Sequence, residues 1–183
     1  WSPEERDAHN LAMQWMREAG LEVWADAAGN SFGRRKGQDD SLPTIILGSH
    51  LDTVTNAGNY DGTLGFVAAL ETVRELNERG LSTRHPITMV IFAGEEAVRF
   101  ADTCMGSKLM TGQMQRSQLD QLKDAQGITP AEAMRAVGLD PDRSDDVRWD
   151  PSRIAAYLEI HIEQGTVLEK LGKKIGIVTA IAA

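Results

Sequence analysis

The 183 residues predict an α/β fold, one domain or a piece of a larger one, with a mixed or parallel sheet between helices. Three observations lead there. Thr44–Gly48 and Ile87–Phe92 are short apolar, partly β-branched runs of strand length. Between them, Leu64 to Leu76 is apolar on most faces and ends at Arg79-Gly80, as a helix packed deep against a sheet would. These three segments form one β-α-β unit. Ala155 to Ile162 and Lys174 to Ile181 supply two more strand candidates around a short helix near Thr166 to Leu171.

The remaining elements follow in chain order. Ser2-Pro3-Glu4-Glu5 is a helix start: an N-cap serine, proline in the first turn and early acids at the positive end of the dipole. Ala8, Leu11, Ala12, Trp15, Met16 and Ala19 then fall on one stripe, which places His9 on the outer face, and Gly20 stops the helix. Leu21 to Trp24 and Ser31 to Arg34, joined through Gly29-Asn30, read as a hairpin. Thr111 to Pro151, with Pro130, Pro141, Pro151 and several charges, reads as weakly helical surface chain. His85, before Pro86, falls at an exposed turn. Met13, Met16, Met105, Met110 and Met114 fall at core or semi-core positions.

Composition narrows the function. Lys plus Arg number 19 against 27 for Asp plus Glu, a net charge of -8, and short clusters such as Arg34-Arg35-Lys36 are flanked by glycine. Nucleic acid, which draws its affinity from basic side chains, is therefore not an expected partner. The apolar runs are too short to span a bilayer, so neither is a membrane. A lone cysteine, Cys104, with no leader before the first helix, points to a reducing cytoplasm. Cys104 has no neighbouring base that would make it a nucleophile. No glycine-rich phosphate loop is present.

Chemistry concentrates at predicted strand ends: Gly48-Ser49-His50-Leu51-Asp52-Thr53, Tyr60-Asp61-Gly62, Gly94-Glu95-Glu96 and Glu159-Ile160-His161-Ile162-Glu163-Gln164-Gly165. Loops leaving the carboxyl ends of neighbouring strands meet in one crevice, so four distant segments can build one site. Imidazole and carboxylate together suit a divalent metal. On extended backbone His50 and Asp52 share a side, as a ligand and the carboxylate that orients it do; a polar strand-end turn is the other reading. Asp61 is an N-cap or a carboxylate bridging two ions, with Gly62 and Gly65 permitting close backbone approach. Glu95-Glu96 is a solvated acidic turn, or a general base beside a metal ligand. His161, among apolar neighbours, is a core histidine or a ligand.

Five ordered blocks carry a resemblance: Gly48-Ser49-His50-Leu51-Asp52-Thr53-Val54; Asn56-Ala57-Gly58-Asn59-Tyr60-Asp61-Gly62; Glu95-Glu96 with Arg99-Phe100; Gly106-Ser107; and His161-Ile162-Glu163-Gln164-Gly165. Together they resemble the dinuclear zinc amidohydrolases and peptidases of the aminoacylase type, in the branch of N-carbamoyl-L-amino-acid hydrolase and allantoate amidohydrolase. The resemblance runs across nearly the whole chain. Ala97-Val98 departs from it, standing where the family usually has Gly-Ser.

The resemblance implies a three-layer zinc-exopeptidase-like domain that hydrolyses linear ureido or amide C–N bonds and releases ammonia and carbon dioxide from a carbamoyl substrate. It implies two divalent ions, zinc or manganese with cobalt or nickel as further candidates. His50 and His161 would bind one ion, Glu96 the other, with Asp61 between them and Asp52 orienting His50. Glu95 would be the general base, with Gln164 and Glu163 beside the substrate. The family's further histidine ligand, and its lid and dimerisation domain, match nothing in residues 1–183, so the chain is expected to be the N-terminal part of a catalytic domain, trimmed at both ends, whose parent is a homodimer. The rival readings are an aminopeptidase or aminoacylase, and a metal-binding module without turnover.

Overall fold

The computed structural model of the protein describes residues 1–181. Its five strands are β1 (Glu22–Ala25), β2 (Ser31–Arg35), β3 (Thr44–His50), β4 (Ile87–Phe92) and β5 (Ile154–Leu158), in the order β1-β2-β4-β3-β5. The hairpin β1-β2 and the pair β2-β4 are antiparallel, whereas β3 runs parallel to both β4 and β5. The sheet is thus mixed, with its parallel half where the β-α-β unit lies. α2 (Thr63–Glu78) makes that crossover and packs on β3 and β4.

Alternation along β4 divides the core. Ile87, Met89 and Ile91 meet Ala12, Met13 and Met16 of α1 (Pro3–Glu18) and Phe66, Leu70 and Val73 of α2 on one face. Val90 points the other way, to Phe32, Ile46 and Met110 of α3 (Met105–Thr111). Helices on both faces of a sheet give three layers.

Three local expectations change. His9 is fully buried, its Nδ1 2.8 Å from Ser31 Oγ, and with Met13 it takes the inner face of α1, while Leu11 and Trp15 are partly exposed. The apolar stripe is simply displaced, because α1 also seats against β2 at Gly33, where a Cβ would stand 2.7 Å from Met16 Sδ. Residues 111–151 are not a surface excursion: Met114, Leu119, Met134 of α4 (Pro130–Ala136) and Val147 form a core with Trp1, Phe100 and Met105. His85 is half-buried, held through Nδ1 on the Pro43 carbonyl. The methionines named above are all buried.

At the C-terminal end, β5 stops at Leu158, short of Ile162, and Lys174–Ile181 is not a strand. Ile175, Ile177, Val178 and Ile181 are exposed there, and a β-prone run without a neighbouring strand has no ladder to join. The short helix is α5 (Val167–Lys170). Ala182 and Ala183, the end of that apolar run, lie outside the described residues.

The burial of His9 has a measurable consequence. Removal from water pulls its pKa down from 6.5 to about 4, against the opposing charge of Glu5. Between those values the unfolded chain takes up a proton that the folded one refuses, so the contribution is fully present above pH 6.5 and is lost as pH falls toward 4. The difference amounts to about 3 kcal/mol. His9→Gln is expected to flatten the pH dependence of the urea midpoint across that window; an unchanged slope contradicts the assignment.

Candidate metal centre

Each functional residue is delivered by the end of a structural element. His50 closes β3, and Glu95 and Glu96 follow β4 by three and four residues, so parallel pairing puts them side by side. Asp61 precedes α2, whose N-cap is Gly62 and not Asp61. At Gly62 (φ 68, ψ -49) the Thr63 N–H donates to the Asp61 carbonyl at 2.7 Å, a γ-turn of the strained hand that only glycine adopts easily. His161 lies three residues beyond β5, in loop and not within a strand.

The imidazoles are turned the same way. His50 Nδ1–H donates to the Asp52 carbonyl (2.9 Å) and His161 Nδ1–H to the Ile162 carbonyl (2.9 Å), since a carbonyl can only accept. Both therefore present Nε2 to the crevice. Asp61 Oδ1 stands 3.7 Å from His50 Nε2 and 3.1 Å from His161 Nε2. His50 Nε2 also lies 3.7 Å from Glu95 Oε2. His50, Asp61 and His161 make one group of converging ligand atoms, and His50, Glu95 and Glu96 a second. Asp52 Oδ2 accepts the Glu96 N–H at 2.8 Å, while its Oδ1 is 3.6 Å from His50 Nδ1. Asp52 thus orients the histidine through its backbone carbonyl, not through its carboxylate as expected, while its carboxylate braces the acidic loop.

The electrostatics favour a cation. Burial alone depresses the His50 pKa, but the bonds to Asp52 and the charge of Glu95 outweigh it and raise it to about 9. Asp52 is raised by burial and lowered further by His50 and the Glu96 N–H, ending below its usual range. Burial and the adjacent Glu95 charge push Glu96 up. Asp61 Oδ1 is a buried carboxylate oxygen with no hydrogen-bond donor, which is costly unless positive charge sits against it. Two imidazole nitrogens facing such an oxygen form the donor set of a divalent ion, so the residues fit one.

Close packing makes the crevice intolerant. A Cβ at position 62 would lie 2.5 Å from both His50 Nδ1 and the His50 carbonyl, and one at position 65 would lie 2.6 Å from the Ile160 carbonyl. Gly62→Ala is expected to cost about 2 kcal/mol of stability through backbone strain alone. It should also weaken zinc binding, because the displaced groups are His50 and the turn that carries Asp61. A variant with wild-type melting and zinc affinity would show that the turn is not under constraint.

Beyond geometry, the sequence compares directly with a known family: the model of peptidase family M20/M25/M40 matches residues 46–180. This chain belongs to that family. It is 47% identical to an N-carbamoyl-L-amino acid amidohydrolase of Geobacillus stearothermophilus, an alignment covering 100% of this chain and 44% of the relative. It is 37% identical to an allantoate deiminase of Arabidopsis thaliana, covering 99% of this chain and 35% of that protein. The crystal structure of a hydantoinase/carbamoylase family amidase from Burkholderia ambifaria superposes with a TM-score of 0.83 at 38% identity, over 93% of this chain and 41% of the other. The M20 chain described here thus spans less than half the length of these relatives. None of its described helices is long and apolar enough to cross a membrane.

Of the residues singled out in the sequence, His50, Asp52, Asp61, Glu95, Glu96 and His161 meet in the M20 crevice. Gln164 joins them, its Nε2 donating to Asp61 Oδ2 at 2.9 Å. Glu163 does not face Asp61: its carboxylate accepts the Val167 and Leu168 N–H groups at the start of α5. Two neighbours have no role assigned from the sequence. Cys104 Sγ lies 3.4 Å from Glu95 Oε1, and Glu159 accepts from Ser49 Oγ and Tyr157 OH beside a cleft of about 360 Å³ that also contains Glu95 and His50. Glu159 belongs to the cluster around His161 that the sequence singles out, whereas Cys104 carries no local signal.

Proposed function

We propose that this chain is the N-terminal part of the catalytic domain of a metal-dependent hydrolase of linear ureido or amide C–N bonds, of the N-carbamoyl-L-amino acid or allantoate type. The observation that carries it is the position of Gln164, which reaches Asp61 from the His161-Ile162-Glu163-Gln164-Gly165 block. An amide there offers both a donor and an acceptor to a terminal ureido group, whose NH2 needs an acceptor that an acetyl group does not. The names of the relatives point the same way.

His50, Asp61, His161 and Glu96 are the residues that would hold two divalent ions, zinc or manganese, with Asp61 shared. Bound there, the ions supply Lewis acidity toward the carbonyl oxygen and make water acidic enough to attack at neutral pH. Glu95 takes the attacking water's proton and returns it to the departing nitrogen. Asp52 keeps the His50 ring in the tautomer that offers Nε2. For a carbamoyl substrate, one water cleaves the C–N bond to release the amine and carbamate, which breaks down to ammonia and carbon dioxide. The greater length of the relatives leaves room for a lid and dimerisation domain and a C-terminal catalytic segment, in a parent read here as a homodimer. The unpaired Cys104 supports a cytoplasmic location.

The test is ammonia release from a panel of ureido acids beside amine release from matching dipeptides and N-acetyl amino acids, using full-length protein at saturating metal. Ureido acids should be favoured by at least about 100-fold in kcat/KM, because a site that pairs the NH2 leaves its own groups unpaired with the analogue. Preference for dipeptides would move the chain to the peptidase reading. Metal binding without turnover of any of them would favour the non-catalytic module.

A further inference from the structure

Asn30 is fully buried at the end of the β1-β2 turn, and each of its polar groups is used. Its backbone N–H donates to Asp26 Oδ1 at 2.9 Å, and its carbonyl accepts from the Asp26 N–H at 3.0 Å. Nδ2 donates to Asp26 Oδ2 at 2.9 Å and to the Gly106 carbonyl at 3.2 Å, while Oδ1 accepts the Ala93 N–H at 3.0 Å. The amide cannot be reversed, since Ala93 offers only a donor and Gly106 only an acceptor.

Those two backbone groups border the acidic loop. The first N–H groups of α3 and its N-cap bond to that loop in order: Gly106 to Ala93 (2.9 Å), Met105 to Gly94 (3.0 Å) and Cys104 to Glu95 (2.7 Å). Asn30 ties both rails of this short ladder together at its base. The space is filled, because a Cβ on Gly106 would stand 2.2 Å from Asn30 Oδ1. Burial raises the Asp26 pKa to about 6 despite the two hydrogen bonds its carboxylate accepts from Asn30. A polar hub of this kind inside a core is costly unless every partner is met, and here every partner of Asn30 is met.

We propose that Asn30 is a positioning residue for Glu95 and Glu96, fixing through Ala93 and Gly106 the loop that aims the base and the metal-binding carboxylate. The proposal rests on the hydrolase reading for its kinetic arm only. In full-length protein at saturating zinc, Asn30→Ala is expected to lower kcat for a ureido acid about 30-fold with KM changed less than about threefold, in the range that outer supports of a metal site contribute. Chelator competition should show one zinc ion, the one dependent on Glu96, bound about tenfold more weakly, and the other unchanged. Asn30→Asp keeps an acceptor for Ala93 but sets a second carboxylate against Asp26. One shared proton restores a donor, so its deficit relative to wild type should shrink severalfold from about pH 8 to about pH 5.5. This variant decides if Asn30→Ala fails to fold. A kcat within twofold of wild type, a loss carried by KM, equal weakening of both ions, or a pH-independent Asn30→Asp deficit would each overturn the proposal. Absence of ureido turnover in the wild type overturns the substrate reading instead, and the zinc titration then decides the role of Asn30 alone.

Discussion

Glu95→Gln in the full-length protein is expected to retain both metal ions and to lose turnover by about 10³-fold, within the usual range for removing a general base. The argument is chemical before it is geometric. Glutamine has nearly the shape of glutamate but cannot accept the proton that water must give up, so the attacking step fails while the site remains assembled. Position supports the assignment, because Glu95 Oε2 faces His50 Nε2 and Oε1 lies beside the Cys104 thiol. Metal analysis and kcat measured on the same preparation settle the matter. Near-normal turnover at full occupancy would remove Glu95 from the base role, whereas loss of an ion would make it a ligand.

Asp61→Asn should behave in the opposite sense and empty the centre. Asp61 is the carboxylate that both imidazoles face, and its buried Oδ1 has no donor of its own. If Asp61 is the anion shared by the two proposed ions, a neutral amide there would remove the charge that lets two cations sit close together. Since changes outside the direct ligands already cost 10- to 100-fold in affinity, loss of this one should reach on the order of 10³-fold. Zinc competition with a chromophoric chelator measures it directly. Zinc affinity within about fivefold of wild type would show that Asp61 serves as a cap or a support and not as a bridge.

Much of the centre was legible because its residues lie at ends of strongly patterned elements. The apolar runs of β3 and β4 fix where those strands stop, and His50 and Glu95-Glu96 follow directly from their ends. Gly62 and Gly65 stand out in the sequence as points of close approach, and both meet backbone or ring atoms. The failures have a common cause, which is that periodicity reports a face but not what covers it. His9 reads as polar and outward, yet the β2 strand covers it. Residues 111–151 look like solvent-facing chain until Trp1, Phe100 and Met105 are found packed on them. Lys174–Ile181 has strand chemistry, and chemistry alone cannot supply a neighbour. Asn30 looked like an ordinary hairpin turn, because its partners at Ala93 and Gly106 are 63 and 76 residues away.

Sheet order carries one further consequence. Among the described residues, β3 and β4, which deliver His50 and the two glutamates, are interior strands, whereas β5, which leads to His161, pairs with β3 alone. Edge elements open by local fluctuation far more readily than central ones. An ion held jointly by His50 and His161 is therefore a ligand of the docked form of β5 and not of the opened one. Its binding free energy adds to the stability of that docking, by RT ln(1 + [M]/Kd), and leaves the rest of the sheet untouched. With the proposed ion bound, metal supply would control amide-hydrogen exchange at this edge, protecting Ile154–Leu158 in proportion to occupancy.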